Sequence, residues 1–492
     1  RAESGDESQA LAALLKAASE EHRAGRLEAA EASYLQALRE VGLEVGAAGV
    51  TGGPVRSLQA AEALHLLGAL RAQRASAAAG GQGEDSGDEV LEAPGDAEHA
   101  SALSLLRAAT STLPSSAPAA ARARLLNSLG VALLARRAGR RRRLHEAVAA
   151  LREAALLDAG SCSAQTNLAR VLARLEAEAS KAGNTEEEAA ILRERADALR
   201  AANRLRPDQP LVLYRLGMAL KDCRDSEEAA AALERYLELA DAGKGDATTA
   251  QGATQRKAPI ARHWLAVVRG DAAATAPAEY VAGLFDSYAD RFDDHLVNAL
   301  GYQTPELIAA EIRGTGGPTP RRCADLGCGT GLMGPLLKEL GVEHLVGVDL
   351  SAGMLAKAEG RGYDRLVCGD LLDVFGEPEA YDLVVAADVF VYVGDLRPVL
   401  EASARGLARP HGMCVVSTEA PPRAGGANEC SGPVPAGGFR LADTGRYLHT
   451  ATYVRETAEG AGMRLAARRS VVLRYNGGKP VHGHIHVFRL AG

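Results

Sequence analysis

Three glycines spaced two residues apart separate a short apolar stretch from a helix-forming segment. They are Gly327, Gly329 and Gly331, and the stretch 322–326 before them has the composition of a buried β-strand. Glycine at a strand-to-helix junction allows a tight turn, and it lets a ligand approach backbone N–H groups that a Cβ atom would cover. The sequence therefore predicts a strand, a ligand-binding loop and a helix over 332–340, which is the start of an α/β fold.

The spacing of these glycines distinguishes two kinds of nucleotide site. The dinucleotide fingerprint Gly-x-Gly-x-x-Gly needs a third glycine where this chain has Leu332, which argues against a nicotinamide-dependent dehydrogenase. The chain instead reads Gly-x-Gly-x-Gly, with Asp325 two residues before the first glycine. The run Asp-Leu-Gly-Cys-Gly-Thr-Gly resembles the cofactor loop of class I S-adenosylmethionine-dependent methyltransferases.

Acidic residues end the next three apolar runs, which are 344–349, 365–370 and 381–388. Helix-forming segments accompany them at 351–360 and 395–407. Strands that alternate with helices predict a doubly wound parallel sheet, in which ligands bind outside the carboxyl ends of the strands. Each acid taken alone is explained equally well as a helix cap or a turn residue. Their recurrence after a glycine loop favours a cofactor site.

The resemblance implies that the cofactor is S-adenosylmethionine. The three glycines would cradle its methionine portion, and Asp325 would orient the loop and the amino group. Asp349 would hold the ribose hydroxyls, and Asp370 with Leu371 would contact the adenine. The expected cofactor-binding residues are therefore Asp325, Gly327, Cys328, Gly329, Gly331, Asp349, Leu350, Met354, Asp370, Leu371 and Asp388.

Two segments are expected to form the site of the methyl acceptor. In 280–302, aromatic residues recur at helical spacing, which is typical of a helix packed on the sheet. Tyr288 and Arg291 carry polar groups and are candidates to close over the cofactor. The second segment follows a fifth strand, 413–419, and a Pro/Gly-rich excursion, 420–438.

In this second segment Arg446 and His449 are candidate catalytic residues together with Tyr288. Arg446 is suited to bind a carboxylate or phosphate of the acceptor, and His449 to take a proton during transfer. A turn-capping role for Arg446 and a packing role for His449 explain the sequence equally well.

The motifs Phe-Asp-x-Tyr-Ala-x-x-Phe-Asp (285–293) and Gly-Arg-Tyr-x-His (445–449) extend the resemblance. Together with the glycine loop they resemble a group of predicted methyltransferases that carry tetratricopeptide repeats and are related to the quinone-biosynthesis type. This resemblance spans nearly all of 277–492 and implies a Rossmann-like, seven-stranded domain there. The fourth strand lacks the Asn/Asp-Pro-Pro-Tyr arrangement of N-methyltransferases, which favours an oxygen or carbon acceptor on a small molecule.

The first half of the chain has helical repeats. Small and large residues in 25–38 and 216–237 follow the tetratricopeptide pattern, and Gly130 with Leu151 and Gly68 with Ala100 and Ser104 fit looser copies. We therefore expect a tetratricopeptide-like superhelix within 1–270, with a groove for a protein partner. A non-repeating helical domain is the alternative.

Three features of this half do not follow the repeat pattern. The acidic insertion 80–94 is expected to be disordered. The arginine cluster 136–143 is either a localisation or nucleic-acid signal or a solvated turn between helices. Trp264 lies in an expected capping helix that follows a linker, 241–259.

Composition narrows the partners and the location. A net charge of -7 argues against nucleic acid or a membrane surface as a partner. The sequence contains no run of eighteen apolar residues, so we expect no membrane-spanning helix. Seven scattered cysteines without Cys-x-x-Cys favour reduced thiols in the cytoplasm, although an organellar leader before Arg1 stays open.

Three histidines alternate along one expected strand, His482, His484 and His486. They are too far apart there to bind one metal ion alone.

Two other functions fit the same sequence. In the first, the repeats recruit a protein whose side chain accepts the methyl group. In the second, the cofactor site is a relic and the chain is a scaffold.

Overall fold

Helices form the first half of the chain, and a mixed β-sheet organises the second. The computed structural model describes residues 3–46, 49–52, 57–78, 96–134, 140–242, 250–271, 275–286, 288–294, 296, 300–316, 318–378, 380–421, 437–476 and 479–491. The chain divides into two units, Arg1–Leu239 and Ala240–Gly492. Among the described helices none is long and apolar enough to cross a lipid bilayer.

The first unit consists of ten helices and one small hairpin in the described residues. The helices are α1 (Glu3–Arg23), α2 (Leu27–Glu40), α3 (Leu58–Ala78), α4 (Asp96–Thr112), α5 (Ala119–Leu133), α6 (Arg140–Leu157), α7 (Cys162–Lys181), α8 (Thr185–Leu205), α9 (Pro210–Asp222) and α10 (Ser226–Ala242). The hairpin strands β1 (Leu43–Gly46) and β2 (Gly49–Gly52), which the sequence analysis did not predict, are antiparallel.

Glycines allow close contact between paired helices of this unit. A Cβ atom at Gly217 of α9 would lie 2.6 Å from Cγ of Leu233 in α10, and one at Gly130 of α5 would lie 2.5 Å from Cγ of Leu151 in α6. Both pairs follow the predicted spacing. Gly68 of α3 meets Leu106 and Ala102 of α4, two residues beyond the predicted Ala100 and Ser104.

Some predicted features of this half lie at other places or outside the described residues. The insertion 80–94 and residues 136–139 of the arginine cluster are outside the described ranges. The remainder of that cluster begins helix α6, so it is not confined to a turn. Helix α11 (Ala250–Arg269) starts eleven residues before the expected capping helix, contains Pro259 and belongs to the second unit.

The second unit contains a seven-stranded sheet. Its strands are β3 (Arg322–Leu326), β4 (His344–Asp349), β5 (Arg365–Cys368), β6 (Leu383–Ala386), β7 (Met413–Glu419), β10 (Met463–Asn476) and β11 (Lys479–Leu490), in the order β10-β11-β7-β6-β3-β4-β5. Strands β3 to β7 are parallel, and β11 and β10 are antiparallel to their neighbours. The predicted seven-stranded Rossmann-like sheet is confirmed.

Helices cover both faces of this sheet. They are α13 (Thr304–Gly314), α14 (Met333–Glu339), α15 (Ala352–Ala358), α16 (Arg397–Gly406) and α17 (Ala451–Gly460), and α12 (Ala278–Asp286) precedes them and contacts α15. Alternate strand residues face opposite sides. Val384 and Val416 pack with Leu400 of α16, whereas Val385 and Val415 pack with other helices, α13 and α14. A short hairpin, β8 (Phe439–Leu441) and β9 (Tyr447–His449), precedes α17.

Candidate active site at the carboxyl edge of the sheet

The three glycines of the loop between β3 and α14 have different surroundings. All have positive φ angles, of 63°, 56° and 88° for Gly327, Gly329 and Gly331. A Cβ atom at Gly327 would lie 2.4 Å from Cγ2 of Val389, and one at Gly331 would lie 2.9 Å from Cε2 of Tyr363. At Gly329 it would meet nothing within 4 Å. The outer glycines therefore permit packing, and the middle one faces open space.

Asp325 lies buried beneath this loop, with 1% of its surface exposed. The hydroxyl of Tyr363 donates to Asp325 Oδ2 at 2.6 Å. Burial raises the pKa of Asp325 to about 7, although the hydrogen bond from Tyr363 opposes this rise. The neighbouring Cys328 is also buried, and burial raises the pKa of its thiol, which stays protonated.

Asp349, at the end of β4, is joined to the glycine loop. Its Oδ2 accepts from the N–H of Gly329 at 2.9 Å, and its Oδ1 accepts from the N–H of Ser351 at 2.9 Å. Burial raises its pKa, and these two hydrogen bonds oppose that shift. Leu350 is partly buried beside it, and Met354 in the first turn of α15 is buried. The predicted residues 325–331 and 349–354 thus meet at one edge of the sheet.

Asp370 caps a short 3₁₀ helix, Leu371–Val374. Its Oδ1 accepts from the N–H of Leu372 at 3.0 Å, and its own N–H donates to Asp373 Oδ2 at 2.8 Å. The capping role that the sequence left open for each strand-end acid is therefore present at Asp370. Its side chain is exposed, and Leu371 beside it is partly buried.

Residues 286 and 288–293, which precede the sheet, are held against these loops; we call them the strap. Asp286 Oδ1 accepts from Ser351 Oγ at 2.5 Å and from the N–H of Gly353 at 3.0 Å. Asp293 accepts from Thr330 Oγ1 of the glycine loop, and Arg361 donates to Asp293 Oδ2 at 2.6 Å. Two carboxylates therefore bridge the strap to the loops after β3 and β4.

The strap differs from the continuous helix that aromatic spacing predicts. Helix α12 ends at Asp286, and a 3₁₀ turn, Ala289–Arg291, follows. The rings still meet, because Phe292 packs edge-to-face on Phe285 at 5.9 Å and on Tyr288 at 5.5 Å between centroids. Tyr288 thus lies in an aromatic cluster on the strap. The side chain of Arg291 is outside the described structure.

Asp388, after β6, belongs to a buried network of charges. It has a φ of 55°, and its Oδ1 accepts from Ser417 Oγ at 2.9 Å. Arg474 donates to Asp388 Oδ2 at 2.8 Å and also to Glu419 at the end of β7. Arg474 and Glu419 are 4% and 5% exposed, so a cation and an anion that the sequence analysis did not select lie buried at this edge.

Arg446 is the more exposed cation of this network. Its side chain is 31% exposed, and its Nη1 lies 3.7 Å from Glu419 Oε1. Helix α11 holds the turn before it, because Nε2 of His263 is 3.0 Å from the carbonyl oxygen of Gly445. The guanidinium therefore lies at the carboxyl edge, with part of its surface free for a ligand.

His449 is completely buried between aromatic rings. Its Nε2 lies 3.0 Å from the carbonyl oxygen of Gly394, and its ring stacks on Tyr453 at 5.9 Å between centroids. Burial lowers its pKa to about 4, so the imidazole is neutral and weakly basic at pH 7. Arg446 and His449 are three residues apart at one hairpin, whereas Tyr288 lies on the strap.

The alternating histidines of β11 have separate partners. His486 is buried beside Thr418, His484 is 3.1 Å from Ser470 Oγ, and His482 is exposed. Within the described ranges, no three His, Cys, Asp or Glu residues are grouped so as to hold a metal ion.

Residues 324–416 match the family model of a methyltransferase domain. The matched region contains the glycine loop, Asp349, Asp370 and Asp388. The chain is a methyltransferase, and its methyl donor is S-adenosylmethionine. A search among curated proteins found no match.

Solved structures of methyltransferases also match the chain. An S-adenosylmethionine-dependent methyltransferase from Mesorhizobium loti is 22% identical, with a TM-score of 0.30, over 37% of this chain and 96% of that one. The 1,6-didemethyltoxoflavin-N1-methyltransferase of Burkholderia thailandensis, solved with its substrate and S-adenosylhomocysteine, is 18% identical, with a TM-score of 0.34, over 45% of this chain and 93% of that one.

The carboxyl edge of this methyltransferase fits the donor on two observations. Gly329 leaves open space above the loop, and the Asp349 carboxylate retains lone pairs besides those that accept its two backbone N–H groups. The donor supplies a methyl group on a sulfonium that a nucleophile attacks in line. The protein supplies orientation and exclusion of water.

Five residues of this edge were not predicted from the sequence: Asp286, Asp293, Tyr363, Glu419 and Arg474. The two aspartates belong to the quoted Phe-Asp motif, which was the available signal for them. Tyr363 and Arg474 have no local signal. Arg474 reaches Asp388 because β10 has an irregular register between Val472 and Arg474, and register shifts of this kind redirect side chains.

Proposed function

We propose that this methyltransferase transfers a methyl group to an oxygen or carbon atom of a small molecule that carries an anionic group. The observation that carries this proposal is Arg446, a partly exposed guanidinium beside a buried network that already pairs the other charges. Arginine is suited to bind carboxylate or phosphate through two parallel hydrogen bonds. The tip of β6 reads Ala-Ala-Asp-Val-Phe, without the residues that orient an acceptor nitrogen.

At the donor end, we assign the methionine portion to Gly327, Gly329 and Gly331. The open space at Gly329 supports this assignment. Asp349 would accept hydrogen bonds from the ribose hydroxyls, and Asp325 would act from beneath the loop. Leu350, Met354, Asp370 and Leu371 would border the adenine, and Cys328 and Asp388 would complete the surroundings.

At the acceptor end, we assign Arg446 to the anionic group and Tyr288 to closure over the site. The low pKa of His449 argues against a role as proton acceptor at neutral pH. Its bond to the Gly394 carbonyl instead supports a role in holding the loop after β6.

We also propose that the first unit is a tetratricopeptide-like array that binds a protein partner. Hydrogen bonds between every second helix support it: Arg107 of α4 with Glu146 of α6, Arg152 of α6 with Glu194 of α8, and Asn127 of α5 with Asn167 of α7. Two layers of helices follow, as stacked hairpins require. A protein substrate recruited by this array is the second candidate function. The six described free cysteines support the cytoplasm as the location.

Labelled methyl transfer from S-adenosylmethionine into fractionated cell extract tests the acceptor. We expect label in the small-molecule fraction, less label with Arg446→Ala, and far less with Asp349→Ala. Label that enters only protein, and that disappears when residues 1–239 are removed, would instead support the recruited protein substrate.

A further inference from the structure

Tyr363 fills the space beneath the glycine loop. Cβ atoms at Gly331, Gly334 and Gly347 would lie 2.9, 2.7 and 2.8 Å from atoms of its ring. These glycines belong to the loop, to α14 and to β4, so three elements leave room for one phenol. The hydroxyl of Tyr363 then donates to Asp325 Oδ2 at 2.6 Å. Burial and the nearby Asp325 raise the pKa of Tyr363, so the phenol remains a donor.

Asp325 has no positive neighbour among the titratable groups that face it in the described part of the chain. These groups are Asp349 on β4, Cys323 on its own strand, Cys328 in the loop, and the phenols of Tyr302 and Tyr363. A buried carboxylate without a cation is costly. The hydrogen bond from Tyr363 is therefore an important stabiliser of its charged form.

We propose that Tyr363 is a positioning residue for the methyl donor, because its hydrogen bond stabilises the charged form of Asp325 beneath the glycine loop and so favours the cationic donor over the neutral product. S-adenosylmethionine carries a positive sulfonium, and S-adenosylhomocysteine carries an uncharged thioether in its place. A negative charge in a low-dielectric site attracts the former more strongly. The hydrogen-bonded pair of Tyr363 and Asp325 thus favours donor entry and product release.

The pH dependence follows from the sign of the shift. The pKa of Asp325 is raised to about 7, so the carboxylate becomes charged as the pH rises through neutrality. Preference for the donor over the product should rise over the same range. The hydroxyl of Tyr363 lowers the pKa of Asp325, so its removal should raise that pKa. The rise in preference for the donor should then occur at higher pH.

Calorimetric titration of the full chain with S-adenosylmethionine and S-adenosylhomocysteine, from about pH 6 to about pH 9, measures this preference. Both ligands carry the same amino group, so its titration changes both dissociation constants alike. To first order this effect cancels in their ratio. For Tyr363→Phe we expect the dissociation constant of S-adenosylhomocysteine divided by that of S-adenosylmethionine to fall several-fold at pH 7, and its curve against pH to move to higher pH. Tyr381→Phe is the matched control, since this buried phenol donates to the Val374 carbonyl oxygen at 2.9 Å.

Asp325→Asn completes the test. In that background the ratio should not vary with pH, and Tyr363→Phe should add no further change. If Tyr363→Phe weakened the binding of both ligands equally, Tyr363 would have only a packing role. The same conclusion would follow if Tyr381→Phe moved the curve of the ratio against pH in the same way. A wild-type ratio that is flat across this range would overturn the proposal even if a variant failed to fold.

Discussion

Individual acids at strand ends have three different roles, although they look alike in the sequence. Asp349 joins the glycine loop, Asp370 caps a 3₁₀ helix, and Asp388 pairs with Arg474. The sequence predicts their common edge, because parallel strands end together. It does not predict the partner of Asp388, because Arg474 lies 86 residues further along the chain and its direction depends on a register shift.

The glycines of the loop should respond differently to substitution. Gly327→Ala places a methyl group against Val389, so we expect it to lower the melting temperature strongly. Gly329→Ala meets no atoms, and its positive φ costs only about 1 kcal/mol. It should remain folded but bind S-adenosylmethionine weakly. Thermal unfolding and titration calorimetry measure the two effects. Equal loss of stability in both variants would contradict the assignment.

At the scale of elements, continuous apolar runs gave the most accurate predictions. Strands β3, β4 and β7 have the predicted bounds, because buried parallel strands need apolar residues on both faces. Strand β10 was not predicted, since its many exposed positions and its arginines hide the pattern. The strap was predicted as one helix, and tertiary contacts of Asp286 and Asp293 replace the helical continuation.

The strap should contribute to donor binding more than to stability. Asp293→Ala removes contacts with Thr330 and Arg361, so we expect a several-fold weaker affinity for S-adenosylmethionine with a small change in melting temperature. Asp290→Ala is the control, because its pair with Lys357 is exposed and such pairs contribute little. If both variants bind like wild type, the strap does not close the donor site.

Buried neutral histidines should make the second unit sensitive to acid. The pKa values of His449 and His486 are lowered to about 4 and about 3, below that of an unfolded histidine. Their contribution to stability is therefore present above about pH 6.5 and is lost as the pH falls toward these values. Urea unfolding from about pH 7 to about pH 4.5 should show a decline that His449→Gln makes shallower. An unchanged slope in that variant would contradict the burial of a neutral ring.

At the scale of the whole molecule, composition changes at a different place from the boundary between the units. The composition of the chain shifts near residue 277, from Ala, Leu, Glu and Arg toward Val, Gly and Phe, whereas the second unit begins at Ala240. Helix α11 has the composition of the first half, yet its His263 is 2% exposed and stacks on Tyr280 at 4.6 Å. Composition reports the type of element, and only contacts report the unit to which it belongs.

A fragment of residues 240–492 should therefore fold and bind S-adenosylmethionine. A fragment of residues 271–492 lacks the bond from His263 to Gly445 and the aromatic contacts with Tyr280, so we expect it to be less stable by about 2 kcal/mol or more. Urea unfolding of both fragments measures the difference. Equal stability would show that α11 is dispensable for the fold of this unit.

The most direct test of the account is calorimetric titration of the full chain with S-adenosylmethionine. We predict saturable binding that Asp349→Ala weakens by on the order of a hundredfold, as expected for loss of a partly buried acceptor of several hydrogen bonds. Asp364→Ala should bind like wild type, since that acid accepts from the Leu345 N–H at the start of β4, the end of the strand opposite Asp349. Absence of binding, or equal affinity in wild type and Asp349→Ala, would contradict the central claim.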